Sequence, residues 1–334
     1  MANHKSKATL AAEQLCKDFP TASSLSLARR LKKEHPVTYA TVEKARDAIR
    51  YARGAKGKKR AKHATVPRPK GVSGQLPEPP PSLADPFEEF VFDGCHRVGI
   101  ISDIHVPYHS EKAWAAAMRR LKENRCDGIL INGDFCDFYR ISRYEKDPDA
   151  RSFGDELRMC IEGLQYVRDY FPKSRIVFKL GNHEERFDGF IWQRAPELYS
   201  VEACRIYELL RLASMGIECV SDQRPVLIGK LPVLHGHELQ RGISAPVNPA
   251  RGAFLKSLHT LAVGHSHRTS THVEPDMFGR EVAVWSIGCL SAPNPEYNRF
   301  AKSNHGFAFV SVGSDGEFDF ENYRISRDWK VRTA

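Results

Sequence analysis

Residues 180–186 read LGNHEER and come directly after SRIVFK, residues 174–179, a run of buried-strand character. A glycine is followed by an amide, an imidazole and a carboxylate, three groups that can ligate a metal or handle a proton, at the mouth of a sheet. The same kind of ending recurs along the chain. RVGIIS ends at Asp103, DGILIN at Gly133 and Asp134, SRIVFKL at Gly181 and Asn182, LPVL at His235, and TLAV at Gly264 and His265. Helix-like stretches such as SEKAWAAAMRRLKEN and FGDELRMCIEGLQYVRDYF separate the earlier strands, so the chain from Phe87 onward is expected to be an α/β layered domain. In open α/β sheets sites form at the C-terminal edge of the strands, and here five strands bring metal-ligand chemistry to that edge.

Taken singly, an Asp or Asn after a strand is more often a turn residue, because its side chain hydrogen-bonds nearby backbone. The set reads differently. It comprises D-x-H (Asp103, His105), G-D-x-x-D (Asp134, Asp137), G-N-H-E (Asn182, His183, Glu184), HGH (His235, His237) and GHSH (His265, His267). In this order and with these glycines the motifs resemble the calcineurin-like metallophosphoesterases over about residues 98–312. The resemblance implies an α/β/β/α sandwich and a two-metal phosphoester hydrolase.

Carried over motif by motif, it implies that Asp103, His105, Asp134 and His267 bind one ion, while Asp134 as bridge, Asn182, His235 and His265 bind the other. Imidazole together with carboxylate suits Mn, Fe or Zn rather than Ca or Mg, and manganese is the expected ion. Two such ions about 3.5–4 Å apart hold a hydroxide as nucleophile and clamp the attacking and leaving oxygens of a phosphoryl displacement. The resemblance makes His183 the general acid and Asp137 the aspartate that orients its imidazole. Gly181 is expected to provide the tight exit from its strand. Glu184 has either a hydrogen-bonding or a chemical role. In HGH, His235 ends its strand directly and is the expected ligand, leaving His237 to line the pocket or do nothing chemical. His109, His259, His272 and His305 lie in no motif.

One departure bears on substrate. Protein serine/threonine phosphatases of this superfamily place Arg after G-D-x-x-D and before G-N-H-E, a fork for phosphate monoesters. Here those positions are Phe138 and Leu180. Arg140, Arg143 and Arg186 are the neighbouring cations that could replace it. The pattern fits better with the branch of nucleases and nucleotide phosphodiesterases.

Charge is unevenly distributed. Residues 1–70 hold 18 Lys/Arg against 5 Asp/Glu, a net of +13, while the remaining 264 hold 32 against 36, a net of −4. SLSLARRLKKEH places Leu25, Ala28 and Leu31 on one helical face, and TVEKARDAIRYARG does the same with Val42, Ala45, Ile49 and Ala52, with Arg46, Arg50 and Arg53 on a second stripe. Two short helices of this kind resemble a helix-turn-helix arrangement. GAKGKKRAKH then adds a positive run suited to lie along phosphates. The expected organisation is a basic helical module at 1–62, a proline-rich linker at 63–86 and a catalytic domain at 87–334, with nucleic acid engaged through residues 24–62. The segment from about 186 to 225 is a candidate substrate-facing cap.

The preferred function is a nuclease or phosphodiesterase acting on nucleic acid. The alternatives are a phosphomonoesterase or small-nucleotide hydrolase that uses its N-terminus only for localisation, and a non-catalytic scaffold. No apolar stretch approaches the roughly 18 residues of a membrane span, and MANHKSKATLAAEQLCKDFP carries no export signal, so a cytoplasmic protein is expected. The eight cysteines form no C-x-x-C pair and are read as reduced, mostly buried residues.

Overall fold

The computed structural model describes residues 7–20, 22–54, 80–83, 87–142, 151–221, 223–239, 247–293 and 302–334. The chain divides into two compact units, Met1–Ala84 and Asp85–Ala334. The run at 55–63 and most of the proline-rich linker lie outside the described residues.

The N-terminal unit has three helices, α1 (Lys7–Asp18), α2 (Ser24–Glu34) and α3 (Val42–Ala52), where the sequence pattern showed two. The hydroxyls of Ser23 and Thr41 accept from the backbone N–H of Ser26 and Lys44, capping α2 and α3. Ala12 and Leu15 of α1 complete a core with Leu27, Ala28, Leu31, Tyr39, Ala45 and Ile49. Leu27, four residues before Leu31, takes the buried place expected for Leu25. Arg53 also departs from expectation. Its guanidinium donates to the carbonyls of Phe19, Pro20 and Ala22 and to Ser24 Oγ, tying the α1–α2 connection, so it does not join a solvent-facing stripe. Residues 35–41 join α2 to α3, a longer connection than the roughly 3–4-residue turn of a helix-turn-helix.

The second unit is a four-layer sandwich. Its strands are β1 (Phe90–Val91), β2 (Arg97–Ile101), β3 (Gly128–Asn132), β4 (Arg175–Lys179), β5 (Ile217–Val220), β6 (Val226–Ile228), β7 (Leu231–Leu234), β8 (Leu261–Val263), β9 (Ser270–Pro275), β10 (Glu281–Ser286), β11 (Gly306–Val312), β12 (Phe318–Ile325) and β13 (Val331–Thr333). One sheet runs β13-β12-β11-β2-β3-β4-β5 and the other β1-β6-β7-β8-β10-β9. In the first, β2 to β5 are parallel, and β11 closes antiparallel on β2. In the second, β7, β8 and β10 are mutually parallel neighbours.

The period-two alternation of buried strands sorts side chains between layers. Val98, Ile100, Leu130 and Val177 point between the sheets, meeting Val226, Ile228, Leu231, Val233 and Ala262. Ile101, Ile129, Ile131, Ile176 and Phe178 point the other way, under α4 (Glu111–Glu123), α5 (Phe153–Tyr170) and α6 (Asn182–Arg194). The short α7 (Ile206–Leu209) adds Ile206 to this layer. On the far side, α8 (Pro249–Ser257) lays Ala250 and Ala253 on Leu261, Val263 and Val284. The five motif-bearing strands thus come from two sheets: β2, β3 and β4 from one, β7 and β8 from the other. All eight cysteines are free thiols, and among the described residues no helix is long and apolar enough to cross a membrane.

Candidate metal centre

Each motif follows its strand directly, G-N-H-E opening α6 and the others in loops, and these segments are laced to one another by backbone hydrogen bonds. Asp103 N–H donates to Gly133 O at 3.1 Å, His105 N–H to Asp134 O at 3.0 Å, Asp137 N–H to Val106 O at 3.0 Å and Gly264 N–H to His235 O at 2.8 Å. Asp103, His105, Asp134, His265 and His267 all have left-handed backbone, with φ between 50° and 62°. Such strain in non-glycine residues persists only where the surroundings over-determine it. Here it turns two alternate side chains of each D-x-H or H-x-H to one side.

The side chains converge. Asp103, His105 and His267 offer ligand atoms within 4.8 Å of one another, and so do Asp134, His235 and His265. Asp134 stands between the groups. Its Oδ1 accepts from His183 N–H at 2.9 Å, which leaves Oδ2 3.2 Å from His235 Nε2 and 3.8 Å from His105 Nε2. Asp103 is arranged the same way. Its Oδ2 accepts from Ser102 Oγ at 2.6 Å and His265 N–H at 2.9 Å, while Oδ1 faces His267 Nε2 at 3.2 Å. His235 Nδ1 donates to Asn132 O at 2.7 Å, so its Nε2 is the nitrogen presented to the site.

Asp103 Oδ1, Asn182 Oδ1 and His235 Nε2 are buried without a hydrogen-bond partner. Buried polar atoms are rarely left so, and unpartnered ligand atoms among the motif residues are what a cation would satisfy. The electrostatics agree. Burial pushes the Asp103 carboxyl up, but His267 and His235 outweigh it and hold it at about 2; Asp134 is likewise held well below its ordinary value. Burial pulls His235 down, but Asp134 and Asp103 outweigh it and lift the imidazole to about 10. The carboxylates therefore draw positive charge onto His235 and His267, which a metal would displace on binding. Two carboxylates, an amide oxygen and four imidazoles fit a pair of transition-metal ions.

The other motif residues surround this cluster. His183 Nδ1 donates to the backbone carbonyl of Asp137 at 2.7 Å, while the Asp137 carboxylate lies nearer His105 Nδ1 (3.0 Å) than His183 Nδ1 (3.5 Å). Asp137 therefore orients His183 with its main chain and His105 with its side chain. Glu184 is fully buried and accepts three backbone N–H groups, from Asp134 (3.0 Å) and Gly181 (2.8 Å) on Oε2 and from Cys136 (2.9 Å) on Oε1, which makes it a tie between the G-D and G-N-H-E loops. His237 pairs with Glu185 at 2.9 Å, with its ring 5.3 Å from that of His235. Gly181 has extended backbone (φ −99°, ψ −177°) that any residue adopts; a Cβ there would lie 2.3 Å from Asp134 Oδ1, so close approach, and not a tight turn, requires the glycine. At Gly133 both reasons hold: φ is +79° and a Cβ would lie 2.6 Å from His235 Nδ1.

Three supporting groups were not singled out in the sequence. Buried Lys179 pairs with Glu238 at 2.9 Å, and Glu238 accepts from His235 N–H at 3.1 Å, fixing the HGH loop. A lysine ending an otherwise apolar strand was the available signal. Ser102 holds Asp103, as described. Asn304, in no motif, accepts from Cys289 Sγ at 3.7 Å on its carbonyl and donates its backbone N–H to the His267 carbonyl at 2.9 Å.

The profile of the calcineurin-like phosphoesterases matches residues 96–303, more than half of the chain. The gene 54 protein of Mycobacterium phage D29 is 22% identical over 232 residues, covering 65% of this chain and 89% of its own. Among solved structures, vacuolar protein sorting 29 from Cryptosporidium parvum aligns at 15% identity and TM-score 0.38, covering 72% of this chain and 96% of its own. A dimetal phosphatase from Danio rerio aligns at 12% identity and TM-score 0.35, covering 69% and 96%. The matched span contains the five motif loops whose side chains converge, and the chain belongs to the calcineurin-like phosphoesterase family, as a metal-dependent phosphoesterase.

Proposed function

We propose that this phosphoesterase cleaves phosphodiester bonds in nucleic acid, with residues 24–62 drawing the polymer to the site. The observation that carries the reading is the separation of charge, a net of +13 in residues 1–70 against −4 in the rest. Lys17, Arg29, Lys33, Lys44 and Arg50 are exposed on the helical unit. A flexible polyanion is captured by such a surface without sequence-specific contacts. On the catalytic unit, Phe138 and Leu180 are buried, at 0% and 5% exposure, so the monoester-gripping arginine fork has no counterpart at those positions.

Asp103, His105, Asp134 and His267 would hold one ion, and Asp134, Asn182, His235 and His265 the other, with manganese the preferred metal. Bound there, the pair supplies Lewis-acid polarisation of the phosphoryl group. His183 handles the proton. With Nδ1–H fixed on the Asp137 carbonyl, Nε2 is directed toward Asp134 Oδ2, 3.9 Å away. Burial, with His105 and Arg186, outweighs Asp134 and Asp137 and pulls this imidazole down to about 4. A bound phosphodiester adds negative charge beside the ring, favours its charged form and primes Nε2–H to protonate the departing oxygen.

The test is incubation of the Mn²⁺-loaded protein with end-labelled single- and double-stranded DNA and RNA, with Asp134→Asn as control. Cleavage that disappears in the control is expected. Intact polymers alongside Asp134-dependent hydrolysis of an aryl phosphate would overturn the reading in favour of a small or monoester substrate. Changing Lys56, Lys58, Lys59, Arg60 and Lys62 to Gln should flatten the slope of log affinity against log salt by up to about 4.5 on duplex DNA. An unchanged slope would leave this run no part in binding.

A further inference from the structure

The family's protein phosphatases grip phosphate with arginines at two positions that are closed here, since Phe138 and Leu180 point into the core. A phosphoester site still needs a fixed positive group for the non-bridging oxygens. Of the three nearby arginines, Arg140 turns its Nε to the carbonyl of Arg151 at 2.9 Å, and Arg143 lies outside the described residues. Arg186 is placed otherwise. It follows Asn182 by four residues and His183 by three on α6, so all three share one helical face. Its Nη1 donates to the Asp137 carbonyl at 3.1 Å, the same oxygen that receives His183 Nδ1–H at 2.7 Å, so guanidinium and imidazole sit side by side. A longer contact, 3.5 Å, reaches the Phe138 carbonyl.

The guanidinium is half-buried, and among the described residues no carboxylate lies within ion-pair distance of it. Asp137, whose carbonyl anchors the guanidinium, has its carboxylate taken up by His105 at 3.0 Å. A half-buried cation without a carboxylate partner, anchored through one nitrogen at the rim of a phosphoester site, keeps its remaining donors for an anion. We propose that Arg186 is the phosphate clamp of this enzyme: anchored by Nη1, it presents its other N–H groups to the non-bridging oxygens of the substrate phosphoryl, next to the proton-handling His183. Anchoring fixes the plane of the fork in advance, so little side-chain entropy is lost on binding. The proposal rests on the phosphoesterase reading of the site and not on the substrate being a polymer.

The test is calorimetric titration of inorganic phosphate into the Mn²⁺-loaded full-length protein, comparing wild type, Arg186→Met and Arg186→Lys, with manganese content measured on each. Arg186→Met is expected to retain its manganese and bind phosphate about 10- to 100-fold more weakly, with Arg186→Lys between. Turnover of bis(p-nitrophenyl) phosphate should then show a rise in KM larger than the fall in kcat. Undiminished phosphate binding in Arg186→Met would overturn the proposal. So would a loss of binding that appears only together with a loss of manganese, which would make Arg186 a loop tie, and so would a wild-type protein that binds no phosphate. Arg186-dependent phosphate binding with every polymer left intact would support the clamp while removing the nucleic-acid substrate.

Discussion

Replacing Glu184 by Gln changes one atom in the tie between two motif loops. The carboxylate, fully buried, accepts from Asp134 and Gly181 on one oxygen and from Cys136 on the other. An amide has one oxygen. In its better orientation Gln keeps the two bonds on the Oε2 side and turns an NH₂ toward the Cys136 N–H, so one buried donor is orphaned and faces another donor. Each orphaned group costs about 1–3 kcal/mol, partly offset because the neutral amide no longer bears the desolvation that raises the Glu184 carboxyl, which gives a net loss of about 2–4 kcal/mol. For a unit of this size that is a fall in Tm of about 4–15 °C. Glu184→Ala orphans all three N–H groups and opens a cavity, so it should fall further. The assay is differential scanning calorimetry of metal-free and Mn²⁺-loaded protein. In Glu184→Ala, where Asp134 N and Gly181 N are released together with the tie, manganese affinity should fall as well. A Gln variant that melts with wild type, or an Ala variant that binds manganese as wild type does, would refute the assignment of Glu184 as the tie.

Gly181→Ala places a methyl 2.3 Å from Asp134 Oδ1 and 2.4 Å from Asp134 N, so the Asp134 carboxylate must move by about 1 Å, a displacement on the scale that costs about 10²-fold in rate; a variant with full kcat would contradict this. His183→Asn should cost about 10²–10⁴-fold on a diester with a poor alkoxide leaving group and far less on a p-nitrophenyl ester, whose departing oxygen needs no proton, whereas equal losses would remove His183 from that step. Burial, reinforced by Asp137, raises the Glu156 carboxyl from 4.5 to about 7. The folded state therefore favours its neutral form, so its stabilising contribution is complete below about pH 4.5 and is lost as pH rises through about 7, a swing of about 3 kcal/mol. Glu156→Gln, which stays neutral, should melt above wild type at pH 8 and converge with it near pH 4.5; parallel melting-temperature profiles across that range would exclude the effect.

The catalytic unit was largely legible from its strand endings. Buried stretches such as GILI and IVF are unbroken apolar runs because both faces are covered, and a hydrophilic residue directly after each one, Asn132 and Lys179, declares the sheet edge. The period-two pattern does not say which sheet a strand joins. Assigning β7 and β8 to the second sheet depends on contacts far apart in sequence, and that architecture came from the family resemblance. The residues that converge in the two clusters were visible because metal-ligand chemistry uses rare residue types at short spacing. Their supports were not, because Glu238 and Lys179 are joined by tertiary structure and each is unremarkable alone. Asp137 shows the same limit. Its place in G-D-x-x-D is a sequence fact, but whether carbonyl or carboxylate meets His183 is set by the loop's course. In the N-terminal unit α1 was missed because its buried face is built from Ala12 and Leu15 with small or polar neighbours, too weak a pattern to stand out. Arg53 was misread because a basic side chain at helical spacing looks the same whether it meets solvent or three backbone carbonyls.

The central claim is that the five loops build one centre for two ions with Asp134 as the bridge. It is tested most directly by measuring manganese per chain after loading and dialysis, by plasma mass spectrometry, for wild type and Asp134→Asn. About two ions per wild-type chain are expected, with at least one lost in the variant. A wild-type content well below one ion per chain, or a variant that keeps both ions, would contradict the claim and return the chain to a non-catalytic scaffold or a differently built site.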